Sequence, residues 1–325
     1  SGDEVIYIAI RRPHKPAEEF AATDLFEVAP RSNTASADNA FVSNFPVDMG
    51  MARNVLSGTE MQLGSRMTGD RYLQTPLTNA EATVSAWGGW DSMNSVSLGF
   101  SKSAESPVEK YGWMFRRAPG FFDVVAYTGT GSNMTVSHNL NAVPELMIIK
   151  RRQVSASWIV YHKDLGNTAY LQLEQNSVAP TGQTTMFNST SPTDSVFSLG
   201  TNGNVNASSS GDAIAYLFAT VPGISKVGSY TSTGSDFDID CGFTSGARFV
   251  LIRRNENSSD WHLFDTERGI VAGNDPFLEL NTTNAQDSAN DAIDPTSSGF
   301  KVVGGSICNQ LLFGAGSTYI FLAIA

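Results

Sequence analysis

Met147-Ile148-Ile149-Lys150-Arg151-Arg152 returns further along the chain as Val250-Leu251-Ile252-Arg253-Arg254, with 103 residues between the two copies. Other landmarks share that spacing. Trp158 returns as Trp261, and Tyr-Thr-Gly-Thr-Gly-Ser at 127–132 returns as Tyr-Thr-Ser-Thr-Gly-Ser at 230–235. A fainter copy lies upstream, where Pro46 answers Pro144 and Tyr72-Leu73-Gln74 answers Tyr170-Leu171-Gln172, both at a spacing of 98. Phe277-Leu278-Glu279 is the third version of that last motif. Self-similarity at a fixed spacing marks an array of one structural unit.

The unit boundaries follow from a recurring apolar strand that ends in Pro-Gly. Phe115-Arg116-Arg117-Ala118-Pro119-Gly120 and Phe218-Ala219-Thr220-Val221-Pro222-Gly223 are also 103 apart. Proline cannot donate to a sheet ladder, and Pro-Gly supplies a turn. The expected modules are therefore 14–119, which is diverged, 120–222 and 223–325. Residues 1–13 are expected to be the closing strand of a preceding module or an N-terminal arm. The Ser-Gly start points to a longer protein.

The apolar runs 146–149 and 249–252 are four residues long and rich in β-formers, too short for helices. They read as central strands buried on both faces. Residues 133–138 and 236–240 alternate polar and apolar, which marks strands with one wet face. Six to eight short strands per module, with polar turns such as 200–211 between them, give an all-β chain of three tandem β-sandwich-like modules of about 103 residues. Residues 80–86 are the one candidate helical turn.

Composition narrows the function. The chain has 325 residues, a net charge of −11 and 16% charged residues, below the roughly 25% of ordinary globular chains. Acidic balance argues against a nucleic-acid partner, which would demand concentrated Lys and Arg. The Arg pairs 11/12, 116/117, 151/152 and 253/254 sit at strand ends, where they serve solubility or contacts between modules. No apolar run approaches the ~20 residues of a membrane helix. Cys241 and Cys308 are too few for a disulfide scaffold; they could pair, but a small buried thiol is the preferred reading.

Candidate chemistry is sparse. Asp236, Asp238 and Asp240 would share one strand face within reach of a calcium ion. The EF-hand pattern is absent, and the matched residues Asn133, Thr135 and Ser137 are neutral, so a solvated face without metal is expected. Trp158 and Trp261, with Tyr161 and Phe264, could form stacking platforms for sugars. A Trp retained in two copies equally serves as a core anchor, and that reading is preferred. The histidines 14, 138, 162 and 262 and the carboxylates Glu145, Asp164, Glu174, Asp265, Glu267 and Glu279 match no catalytic motif. No enzyme and no cofactor is expected.

The stretch at 120–132 (Gly-Phe-Phe-Asp-Val-Val-Ala-Tyr-Thr-Gly-Thr-Gly-Ser) resembles the opening of a module of tail-fibre and other virion proteins of tailed bacteriophages, especially marine ones. So does the order that follows: Ala-Val-Pro-Glu-Leu-Met-Ile-Ile-Lys-Arg-Arg at 142–152, then Trp158-Ile-Val-Tyr-His162, then Tyr170-Leu-Gln-Leu173. The likeness covers the second and third modules. It implies a virion structural protein, a tail-fibre segment contributing to host attachment, located in the virion. It implies as partners sister chains in a homotrimer, other tail proteins and a host-surface glycan or protein, without nucleic acid or membrane insertion. The alternatives are a polysaccharide-degrading tailspike-type enzyme and a collar or decoration protein without ligand.

Overall fold

The structure is a computed structural model, and it describes residues 20–30, 41–84, 89–90, 92–98, 110–304 and 314–325. The expected arm 1–13, His14, the Arg11/Arg12 pair and Cys308 lie outside the described residues. The chain is all-β, with antiparallel sheets and, among the described residues, two three-residue 3-10 turns at Ala22–Asp24 and Arg66–Thr68. The part of the expected helical turn at 80–86 that lies within the described residues, 80–84, is not helical; Ala82–Thr83 is a strand paired to Arg71–Gln74.

One sheet plan occurs three times. In the second unit the order across the large sheet is Leu171–Gln172, Ile159–His162, Leu146–Arg151, Asp212–Phe218, Phe122–Thr128. In the third it is Phe277–Glu279, His262–Asp265, Phe249–Arg254, Thr318–Ile324, Ser225–Thr231. The first unit has Arg71–Gln74, Gln62–Ser65, Met49–Asn54, Lys110–Phe115, Phe26–Pro30 in the same places, with Ala82–Thr83 added at one edge. Each unit also has a small sheet. This is Phe41–Val42 with Ser95–Val96 in the first, Met134–Ser137 with Val196–Leu199 in the second, and Phe237–Asp240, Gly299–Val302 and Ile293–Thr296 in the third.

Successive side chains of a strand point to opposite faces, and here both faces are dry. Met147 and Ile149 face the small sheet of their own unit, in a core with Val136, Phe197 and Leu199. Val250 and Ile252 do the same with Ile239, Phe300 and Val302. The opposite faces of all three large sheets meet in one shared core. It contains Met49 and Met51, Leu146 and Ile148, Phe249 and Leu251, together with Trp113, Trp158 and Trp261. The apolar runs of four were therefore rightly read as buried twice. Besides the core each unit forms with its own small sheet, the three units close around a common one.

Strand pairing also corrects the spacing. Met49 pairs Ser65 and Phe115 as Leu146 pairs His162 and Phe218, so the first unit is offset by 97 along this strand, not 98. A slip of one residue swaps the faces of a strand. At 97, Met49 and Met51 face the shared core, and Gly50 faces its own small sheet. A Cβ on Gly50 would meet Val96 Cγ1 at 3.0 Å, so this glycine admits the close approach of that sheet. The large sheet of the first unit is thus kept, despite Asp48 and Gly50. In the last strand Ile324 takes the place of Phe218, three residues later than the 103 spacing gives.

The shared core closes around an enclosed apolar cavity of about 30 Å3. Met51, Ile148 and Leu251 line it, one from each unit, as do Thr75, Leu173 and Leu280. An apolar void of this size stays dry.

Candidate functional site: buried seams and a polar hollow

The seams between units are held by groups that repeat around the ring. Glu81 N–H donates to Arg152 O (2.7 Å), Ala179 N–H to Asn255 O (3.5 Å) and Gln286 N–H to Val55 O (2.7 Å), and Ala156 N–H to Thr78 O (2.9 Å) and Ser259 N–H to Asn176 O (3.0 Å) add a further bond at two of the seams. Arg53, Lys150 and Arg253 occupy one equivalent strand position and are fully buried. Each donates to main-chain oxygens of a neighbouring unit. Lys150 Nζ reaches Thr78 O (3.1 Å), Arg253 Nη1 reaches Gln172 O (3.1 Å) and Arg53 Nη1 reaches Glu279 O (3.0 Å). The second guanidinium nitrogens bind Ser177 O and Asn284 O. Burial lowers Arg53 and Arg253 to about 10 and Lys150 to about 8, so all three remain mainly cationic at neutral pH.

The four aromatic residues considered as sugar platforms belong to this interior. Trp158 is 0%, Trp261 2%, Tyr161 4% and Phe264 1% exposed, so none offers a ring face to a ligand. Trp158 Nε1 donates to Gln74 O (3.2 Å) and Leu77 O (3.1 Å) of the first unit. Trp261 Nε1 donates to Gln172 O (3.0 Å) of the second. Arg253 lies over the Trp261 ring at 5.2 Å. Tyr161 and Phe264 pack in the private cores of their units. Such burial leaves no room for the stacking alternative at Trp158, Tyr161, Trp261 and Phe264, and the indoles are seam fasteners.

Three of the candidate carboxylates, Asp265, Glu145 and Glu174, are likewise engaged in structure. Asp265 accepts from Trp113 Nε1 (2.9 Å) and Arg268 Nε (2.6 Å), joining the third unit to the first. Glu145 accepts from Thr220 N (3.0 Å) and Lys163 Nζ (2.9 Å), and Glu174 accepts from Trp158 N (3.0 Å). Arg152 and Glu81 form an ion pair across a seam (2.7 Å), so the Arg pairs partly serve contacts between units. His162 and His262 are buried, and burial depresses each to about 4. Cys241 is buried, and burial pushes its thiol up to about 12.

Asp236, Asp238 and Asp240 are solvent-exposed, on a strand whose one buried side chain is Ile239. Lys301 stands opposite Asp238, pairs with Asp236 (3.8 Å) and binds Asp294. The charge at the centre of the acidic face is therefore a lysine. Among the described residues no group of three or more His, Cys, Asp or Glu side chains is arranged to hold a metal ion. No helix there is long and apolar enough to cross a membrane.

An open concavity has the size of a ligand site. It measures about 480 Å3 and is lined by Phe277, Glu279, Asn284, Gln286, Asp287 and Ser288, with Ala285 and Ala289 at its rim. The first unit fixes its loop, through Arg53 on Asn284 O and Val55 O on Gln286 N. Within it, Glu279 Oε2 accepts from Asn284 Nδ2 (3.0 Å) and Thr282 Oγ1 (2.9 Å). Gln286 Oε1 accepts from Arg268 (3.3 Å), and Asp287 Oδ1 accepts from Ala289 N (2.7 Å). Among the described residues Glu279 Oε1 and Asp287 Oδ2 accept no hydrogen bond, so the lining is rich in acceptors. The sequence reading named only Glu279 here, because 281–290 is a polar loop without a motif. Its one signal is that no landmark of the repeat falls within it.

The comparisons with known proteins bear on this chain as a whole. A family model described as a domain of unknown function, DUF7483, matches residues 114–325, the second and third units with the end of the first. The chain belongs to the DUF7483 family. No curated protein matches it. The matched span of this DUF7483 chain contains Trp158, Trp261, Lys150, Arg253 and the whole hollow, while Arg53 and Val55, which pin the hollow's loop, lie before it.

Proposed function

We propose that this DUF7483 chain is a non-enzymatic virion structural protein, a tail-fibre segment that forms a rigid block and contributes a glycan contact to host attachment. The likeness of residues 120–173 to tail-fibre modules is the source of the virion reading. The observation that carries the attachment reading is the hollow at Glu279, Asn284, Gln286 and Asp287, with its volume of about 480 Å3, inside the usual range for small-ligand sites. Its surplus of acceptors suits the hydroxyl donors of neutral or amino sugars and disfavours acidic ones. The buried cations Arg53, Lys150 and Arg253, the indoles Trp158 and Trp261 and the carboxylate Asp265 support a structural role, since each is spent on a contact between units. Sister chains and other tail proteins belong to the same proposal. The apolar faces of the large sheets are covered within the chain, so such contacts would use the outer surface.

The test is binding of the whole chain to an array of neutral, amino and acidic saccharides, beside two variants that fill the hollow from its exposed rim, Ala285→Trp and Ala289→Trp. The expected result is retention of neutral or amino sugars by the parent, a loss of at least tenfold in both variants, and unchanged thermal unfolding. Binding that survives both variants, or no binding to any saccharide, contradicts the glycan contact. Antibody labelling of intact particles tests the virion assignment separately; label absent from the tail contradicts it.

A further inference from the structure

Three equivalent strand positions, Ser65, His162 and Asp265, each pair with the first residue of the neighbouring central strand and turn toward the shared core. Each meets the last strand of another unit. Asp265 holds Trp113 of the first unit, and His162 faces the main chain of Phe321 in the third. Of the three, only the histidine ordinarily titrates in mild acid.

His162 is 1% exposed, and its buried Nε2 makes no hydrogen bond of full geometry, although the ring approaches the Phe321 main chain closely enough to favour its charged form a little, an effect smaller than that of burial. Its Nδ1 accepts from Asp164 N–H (3.2 Å), which requires that nitrogen to be unprotonated. The charged groups around it are Asp164 (Oδ2 at 3.8 Å), Lys163 and Glu145, all of its own unit, and Lys163 is itself bound to Glu145 at 2.9 Å. From the third unit it meets the Phe321 main chain. Toward the other end of the same strand the seam is closed by Ala179 N–H on Asn255 O (3.5 Å), Ser259 N–H on Asn176 O (3.0 Å), and the Arg253 and Trp261 bonds to Gln172 O.

We propose that His162 is an acid-sensitive latch on the seam between the second and third units: its protonation opens that seam and leaves the other two shut. The sign follows from burial. The closed seam holds the imidazole near 4, whereas a solvated imidazole titrates near 6.5. Between these values the open state binds the extra proton. Seam stability is complete above about pH 6.5, falls as pH drops toward 4, and changes no further below that. Going from pH 7 to pH 4.5 raises the opening constant roughly 50-fold for this one group.

Hydrogen exchange of the whole chain at the two pH values, corrected for intrinsic rates, reads each seam separately. Ala179 and Ser259 report the second–third seam, Glu81 and Ala156 the first–second, and Gln286 the third–first. Protection at Ala179 and Ser259 is expected to fall roughly 50-fold at pH 4.5 while the other amides keep theirs. The fall is expected to vanish in His162→Ser, which installs the residue found at position 65, and in His162→Gln, which keeps the bulk. Equal loss at all three seams, no loss in the parent, or the same loss in a folded variant of either kind overturns the latch.

Discussion

Arg268→Ala is expected to destabilise the chain by about 3–5 kcal/mol, the cost of breaking a buried ion pair from one side. Asp265 is 0% exposed, and Arg268 supplies it with two hydrogen bonds, from Nε at 2.6 Å and from the main-chain N at 2.9 Å. Removing the side chain leaves a carboxylate facing Trp113 in the shared core. Its partner in stabilisation, the Arg268 Nη2 bond to Leu263 O (2.8 Å), goes with it. Thermal unfolding should drop by about 5 °C. The double variant Asp265→Asn with Arg268→Met keeps an acceptor for the Trp113 indole and removes both charges, so it should recover most of the loss. If the double variant unfolds below Arg268→Ala, the buried charge is not the cause.

Trp158→Ala is the second large effect, also about 3–5 kcal/mol, from the volume lost in a core without room to collapse. The carbonyls of Gln74 and Leu77 lose their indole donor at the same time. Met61 stands at the equivalent position of the first unit and is fully buried, so Trp158→Met should cost less than half as much. A stacking role would show the reverse pattern, with saccharide binding lost at unchanged thermal stability. Parallel measurement of both quantities separates the two.

Much of the strand plan is legible in the chain. The runs at 146–149 and 249–252 announce strands without a wet face, and the alternation at 134–137 and 237–240 announces strands with one. The preferred structural reading of Trp158 and Trp261 also follows from their repetition. The strand Ile293–Thr296 escapes, because Asp294-Pro295 looks like a turn signal. The register of Met49 escapes by one residue, since the landmarks at Pro46 and Tyr72 fix a spacing of 98 that does not hold between them.

Closure of the three units was not legible, for a physical reason. The acceptors for Arg53, Lys150 and Arg253 are the main-chain oxygens of Glu279, Asn284, Thr78, Gln172 and Ser177, and a carbonyl is the same in every residue. The donors are visible as strand-end cations, but nothing in the sequence says which distant loop receives them. The hollow has the same difficulty. Its walls come from a polar loop whose shape is set by Arg53 and Val55, more than 220 residues away in sequence.

The central claim is that three units share one core instead of folding as separate beads. Calorimetry of the whole chain, repeated with Met51→Ala in the first unit, tests it most directly. Met51 touches the axial cavity beside Ile148 and Leu251 of the other units. A shared core predicts one cooperative transition, with equal calorimetric and van't Hoff enthalpies, that moves down as a whole in the variant. Separate transitions, of which only one shifts with Met51→Ala, would contradict the account.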